Sequence, residues 1–190
     1  MRSESEVLID CVQRLNGCGI AYMLTGSMAS NSWGLARYTH DIDIVVHYTA
    51  ADVPTLLAAF ANGYFIQESS IRSGLRPPYQ FNAIDEQSPL KIDFWVLRNE
   101  PFEQEMFRRR VQLDLEGNPT WTATAEDILL HKLYWNKLSP SERQLLDAAG
   151  IFAVQEGSLD LPYMRQWAGV LDVSDTLERI LCGDIRPKST

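Results

Sequence analysis

The run Asp41-Ile42-Asp43-Ile44 sets two carboxylates two residues apart at the start of a short apolar stretch. In a β-strand alternate side chains face opposite ways, so Asp41 and Asp43 share one side while Ile42 and Ile44 enter a core. Two residues of strand rise place the carboxylates about 7 Å apart at the backbone. Like charges at that spacing repel, and the arrangement persists cheaply only with solvent or a cation between them. Such hard oxygen ligands, with no cysteine beside them, favour Mg²⁺ or Mn²⁺ over zinc. A third acid, Asp93, interrupts the core-like run Leu90-Lys91-Ile92-Asp93-Phe94-Trp95-Val96. Burial of a lone carboxylate costs several kcal/mol, so Asp93 needs a partner or a metal. If its strand lies beside the one that starts at Asp41, three acids converge. That is the requirement of two-metal phosphoryl or nucleotidyl transfer, in which cations about 3.5–4 Å apart clamp the phosphate and activate the attacking hydroxyl.

Upstream, Gly26-Ser27 follows the apolar stretch Ile20–Thr25. A glycine lets backbone approach a phosphate, and a short helix starting at Ser27 or Met28 offers free N–H groups and a positive dipole end. No G-x-x-x-x-G-K-[ST] or G-x-G-x-x-G run occurs, so neither a P-loop nor a Rossmann site has support. Together, Gly26-Ser27, the run Arg37-x-Thr39-x-Asp41-Ile42-Asp43-Ile44, and Lys91-Ile92-Asp93 resemble the pattern of the polymerase-β-like nucleotidyltransferase superfamily. They are similar to its small bacterial members, including the abortive-infection (AbiEii-like) type.

The resemblance implies an α/β (α+β) nucleotidyltransferase fold, a mixed β-sheet packed with helices and followed by a small C-terminal helical region. It implies that Gly26 and Ser27 cradle a nucleoside triphosphate, that Asp41, Asp43 and Asp93 hold Mg²⁺ or Mn²⁺, and that Asp93 completes the catalytic set. Arg37 and Thr39 stand where the small families carry Arg-x-Thr. The Arg37 guanidinium contacts a triphosphate or anchors its loop to a carboxylate, and both readings stay open. Lys132 lies in the almost wholly apolar run Ile128–Trp135. Its ammonium either snorkels to solvent or meets the nucleotide phosphates, as a lysine on the first helix after the catalytic sheet does in the resembling families. Arg143 and Asp147, four residues apart, follow the family's downstream pattern or form an ordinary surface ion pair. His40 reads as a surface histidine.

These residues need elements to position them. Helical spacing of Val7, Leu8, Cys11, Val12 and Leu15 marks a first helix punctuated by Gly17 and Gly19. Strands are expected at 20–25, 41–46, 79–84, 90–97 and 111–115, with helices at 51–61 and 102–107. From near residue 120 the chain reads as helices only, about 125–137, 140–155, one from Asp160, and one from Ser174 that stops before Gly183. Thr124 with Asp127 forms a capping pair, and Ser139-Pro140-Ser141-Glu142 reads as a stronger box with Ser139 at N-cap. The expected division is a catalytic core over 1–118 and a helical region over 119–190 packed on it.

The 190 residues, 45% hydrophobic and 22% charged, suffice for one domain with a real core. No apolar run is long enough for a membrane span, and no signal peptide opens the chain, so a cytoplasmic location is expected. The odd count of three cysteines, with no C-x-x-C, argues against a disulfide framework. Net charge is −8, from 17 basic and 25 acidic residues, which argues against a broad nucleic-acid-binding surface. Arg72 with Arg76, and Arg108 to Arg110, read as solvated surface, and the scattered tryptophans as packing residues. The expectation is a nucleotidyltransferase that moves an NMP from an NTP to a hydroxyl acceptor, whether a small molecule, a tRNA end or a protein. A non-catalytic interaction module, such as a toxin–antitoxin component, is the alternative; phosphate-ester hydrolysis explains Gly26-Ser27 less well.

Overall fold

The structure is a computed structural model that describes residues 1–187. In chain order its elements are α1 (Glu4–Cys18), β1 (Ala21–Leu24), α2 (Gly26–Trp33), β2 (Ile42–His47), α3 (Val53–Phe60), β3 (Tyr64–Phe65), α4 (Glu68–Gly74), β4 (Gln80–Asp85) and β5 (Lys91–Val96). They continue with α5 (Pro101–Arg109), β6 (Val111–Leu115), β7 (Asn118–Thr122), α6 (Ala125–Leu138), α7 (Glu142–Gln155), α8 (Leu161–Leu171) and α9 (Ser174–Leu181). The chain divides into two compact units. The first holds Met1–Thr25 and Thr39–Thr122, the second Gly26–Tyr38 and the chain from Ala123 onward. The sequence places a single boundary at 118/119, whereas the segment carrying α2 groups with the C-terminal helices.

The first unit is a seven-stranded mixed sheet in the order β3-β4-β5-β2-β1-β7-β6, with α1, α3, α4 and α5. Strand β2 pairs antiparallel with β1 and parallel with β5, and β5 pairs antiparallel with β4. Alternation in β2 buries Ile42, Ile44 and Val46 and leaves Asp43 and Val45 half-buried, and β5 repeats it with Ile92, Phe94 and Val96 inside. Phe94 stacks on Phe81 of β4 at 4.8 Å and meets Phe60 of α3 edge-on at 5.5 Å, the two geometries aromatic quadrupoles prefer. This apolar side fixes the register, because a one-residue slip would move every core side chain to the opposite face. Helix α1 begins at a Ser3–Glu6 capping box and ends at Gly19 in the left-handed region, φ 71°.

Three elements of this unit escape the sequence pattern. β3 has two residues, α4 has seven, and β7 contains Pro119. β7 forms a hairpin with β6 and touches β1 in parallel at Leu24 and Thr122, so the chain is not purely helical from residue 120. α4 is short and rich in serine, and packing rather than propensity holds it. A Cβ on its Gly74 would stand 3.0 Å from both Phe81 Cδ1 and Tyr48 Oη, so the helix sits almost directly on β4.

In the second unit α6 is buried on most sides through Ile128, Leu129, Leu130, Lys132 and Leu133. Thr124 caps it as expected, its hydroxyl accepting the Asp127 N–H. The Ser139 cap is a correction. Ser139 instead closes α6, its N–H donating to the Trp135 carbonyl, and α7 begins at Glu142 with the Ser141 N–H held by Asn136 Oδ1. The backbone after α2 comes very near α7: a Cβ on Gly34 would lie 2.8 Å from the Ile151 nitrogen, so only glycine fits there.

Candidate functional site

Pairing of β2 with β5 sets Asp43 directly opposite Asp93. On neighbouring strands, opposed residues carry their side chains on the same face about 5 Å apart. The Asp93 side chain is 13% exposed. Its Oδ2 accepts from Lys91 Nζ at 2.7 Å, while Oδ1 is buried with no hydrogen-bond partner. Asp43 Oδ1 accepts from the indole of Trp95 at 3.1 Å, a diagonal contact from β5. Trp95 is thus more than a packing residue, which its position two beyond Asp93 on the same strand face could have signalled.

Asp41 lies exposed just before β2, and its backbone N–H donates to Thr39 Oγ1 at 3.2 Å. In this structure the buried Thr39 hydroxyl therefore holds the entry to the acidic strand. The Lys91 ammonium is paired with Asp93. Its hydrogen bond to Asp93 raises its pKa above the ordinary lysine value, burial opposes this, and the charges of Asp93, Asp41 and Asp43 add to it. The sequence expects three convergent acids. The structure puts two in register and the third one strand step away. Among the described residues no group of three or more His, Cys, Asp or Glu side chains is arranged to hold a metal ion.

The residues present nonetheless fit a hard divalent cation. Their donors are carboxylate oxygens, one of them buried and unpartnered, and an ammonium already supplies the counter-charge that a cation would. His40 is exposed and pairs through Nδ1 with Glu4, as a surface histidine.

The nucleotide-binding candidates of the second unit assemble around a different carboxylate. Gly26 opens α2 with φ 64°, a conformation a Cβ disfavours. Ser27 is buried, and its Oγ accepts from Arg37 Nη2 at 2.6 Å. Arg37 also grips Asp147 two-handed, Nε to Oδ1 at 2.7 Å and Nη2 to Oδ2 at 2.9 Å. Lys132 Nζ donates to the same Oδ2 at 2.9 Å. Lys132 and Asp147 side chains are only 6% and 7% exposed. Burial raises the Asp147 carboxyl, but the hydrogen bond from Arg37 and the charge and hydrogen bond of Lys132 outweigh it and hold the pKa below its ordinary value.

This network bears on three sequence readings. Arg37 pairs with a carboxylate in this structure. Lys132 does not snorkel, being buried on an acid. Asp147 pairs with Arg37 and Lys132, and no Arg143–Asp147 ion pair exists among the described residues. Asp147, weighed only as a partner for Arg143, is the residue the sequence most undervalued. A carboxylate flanked by apolar Leu145, Ala148 and Ala149 was its one signal.

Thr25, the last residue of the first unit before α2, donates its N–H to the Asp43 carbonyl at 3.0 Å, and Gly26 follows it.

No protein-family model matches the chain, and no curated protein matches it. Solved structures do match. An antigenic nucleotidyltransferase-like protein from Paracoccidioides brasiliensis aligns with a TM-score of 0.57 at 15% identity, over 98% of this chain and 94% of its own. The antibiotic-resistance factor ANT(2″)-Ia aligns in its solution structure with a TM-score of 0.61 at 15% identity, over 91% and 94%. Its crystal structure in complex with adenylyl-2″-tobramycin aligns at 0.60 and 12% identity, over 90% and 98%. Likeness at these identities is likeness of fold, and the chain has the nucleotidyltransferase fold.

Proposed function

We propose that this chain is a Mg²⁺-dependent nucleotidyltransferase that moves an NMP from an NTP to a hydroxyl acceptor and releases pyrophosphate. The observation that carries the reading is the register of Asp43 against Asp93, with a buried Asp93 oxygen left unpartnered. A fold needs no such pair. Two carboxylates facing each other cost energy unless a cation joins them. Mn²⁺ would serve in place of Mg²⁺.

Asp43 and Asp93, with Asp41 reaching in from the strand's start, would hold the metal. When bound, it lowers the pKa of the attacking hydroxyl and screens the phosphate charge. Asp93 accepts the acceptor's proton as the acceptor oxygen bonds to the α-phosphorus. The bond from that phosphorus to the bridging oxygen breaks, and pyrophosphate leaves with the electron pair. By the family resemblance, the first N–H groups of α2, the Ser27 hydroxyl and the Arg37 guanidinium are the nucleotide-binding groups of the second unit. Lys132 acts behind them, fixing Asp147 and through it Arg37. Thr39 orients Asp41, and Trp95 orients Asp43.

The neighbour captured in complex with adenylyl-2″-tobramycin supports nucleotidyl transfer on this fold. The Arg37-x-Thr39 pattern supports the finer placement among small AbiEii-like members. No helix among the described residues is long and apolar enough to cross a membrane, and the three cysteines are free thiols, in keeping with a cytoplasmic site of action.

A second reading rests on one contact. Lys91 satisfies an Asp93 oxygen with no metal, as a non-catalytic module of the toxin–antitoxin kind would require. One experiment separates the two: thermal unfolding with Mg-ATP, Mg-GTP, Mg-CTP and Mg-UTP, on wild type and on Asp43→Asn/Asp93→Asn. A stabilising shift in wild type that is lost in the variant is expected for the enzyme. No shift with any NTP would transfer the assignment to the module.

A further inference from the structure

A cleft of about 380 Å³ opens beside the acid pair, lined by Ser69, Ser70 and Ser73 of α4, Gln80 and Asn82 of β4, and Lys91 and Asp93 of β5, with Phe81 at its base. Register ties it to the acids. Asn82 lies opposite Asp93, as Asp93 lies opposite Asp43, so Asp43, Asp93 and Asn82 form one row across three strands on one face. Successive members of such a row stand about 5 Å apart. A molecule seated over β4 in this cleft would therefore reach Asp93 with its nearest hydroxyl.

The lining also states what would sit there. None of the five serine and carboxamide side chains hydrogen-bonds to another protein group among the described residues. Helical serines commonly turn back onto the carbonyl four residues earlier, and these do not. Hydroxyls both donate and accept, and carboxamides do so through separate atoms, which matches a ligand dense in hydroxyl groups. The two charges of the lining, Lys91 and Asp93, are paired with each other at 2.7 Å. An amine-rich ligand would find no further carboxylate here, and a polyanion no further cation. A nucleobase would find no open aromatic face, since Phe81 is 5% exposed. The volume lies in the range of small-molecule sites.

We infer that this cleft is the acceptor subsite and that the acceptor is a small uncharged polyhydroxylated molecule, a sugar or polyol, whose hydroxyl is presented to Asp93. The inference rests on the nucleotidyltransferase reading and names its substrate class. Asn82, Gln80 and the α4 serines are positioning residues in this scheme.

The test incubates the full chain with Mg²⁺ and each α-labelled NTP. Separate reactions contain glucose, maltose, ribitol and myo-inositol, the aminoglycoside tobramycin, or bulk tRNA. Wild type is compared with Ser73→Leu/Asn82→Leu, both exposed positions where the fold tolerates change. Label is expected on a neutral polyol. The variant is expected to raise the KM for it about tenfold through lost hydrogen bonds, with a smaller change in kcat. Label on tobramycin or tRNA alone would overturn the inference, as would polyol labelling that the variant leaves unchanged. So would label on nothing while Mg-NTP still raises the melting temperature. Absence of both label and Mg-NTP binding would instead remove the nucleotidyltransferase reading beneath it.

Discussion

Two carboxylate sites of this molecule solve the same problem in opposite ways. Asp147, in the helical unit, is buried and gripped by Arg37 and Lys132. Asp43 and Asp93, on the sheet, face each other with one ammonium paired to Asp93 and one Asp93 oxygen buried and unpartnered. The first is a completed electrostatic cross-link, the second an incomplete one. A charge that the fold has neutralised serves position, and a carboxylate with one buried oxygen left unpartnered, as Asp93 has, is available to a ligand.

That contrast can be broken most forcefully at Asp147. Asp147→Asn removes the buried carboxylate that pairs with both Arg37 and Lys132, and the expected loss of stability is about 3–5 kcal/mol, read from urea unfolding. Its pH dependence has a definite sign. The folded pKa lies below the unfolded one, so the stabilisation is complete above the unfolded value of 3.8 and drains away as pH falls through the folded value. Wild type should lose stability more steeply than Asp147→Asn below about pH 4. Equal slopes would show that Asp147 is not the linked group.

The sheet pair should behave differently, through binding rather than folding. Trp95→Phe removes the indole donor that orients Asp43 and is expected to weaken Mn²⁺ binding about 10- to 100-fold while barely moving the melting temperature. Paramagnetic resonance of free Mn²⁺ reads this directly. An unchanged affinity would return Trp95 to the role of a packing residue.

The smallest effect is expected at Lys91, whose ammonium is paired with Asp93. Lys91→Met removes the competing ammonium and should tighten Mn²⁺ binding several-fold in the same measurement, since the acids then repel without relief. Weaker binding would mean that the lysine helps to hold the acids in place and does not occupy the metal's position.

Much of the sheet was legible because its signal is local. The alternation of Ile42, Asp43, Ile44 and of Ile92, Asp93, Phe94 marks both acid-bearing strands before any pairing is known. Side-chain period alone decides which residues face the same way. The Gly26 turn was legible for a similar reason. β3, α4 and β7 were not, because two residues of strand, a serine-rich turn of helix and a proline-bearing strand carry no period of their own. Contacts hold them, as Gly74 against Phe81 and Tyr48 shows. The Ser139 box misled because Ser139 closes α6, its N–H donating to the Trp135 carbonyl, and α7 starts two residues later than the box implies, after Ser141.

The sequence by itself determined which residues are candidates for the chemistry: three acids, a glycine-serine turn, and the basic residues Arg37 and Lys132. Their types follow from side-chain chemistry, which needs no third dimension. Only the tertiary structure decided who partners whom. It set Asp43 opposite Asp93 across a parallel pairing, gave Asp147 to Arg37 and Lys132 instead of Arg143, and opened the hydroxyl-lined cleft beside Asp93. Those partnerships join residues from 15 to 110 positions apart, and no local rule reaches that far. They are set by the single register and packing in which the apolar faces of the strands and helices are all buried at once.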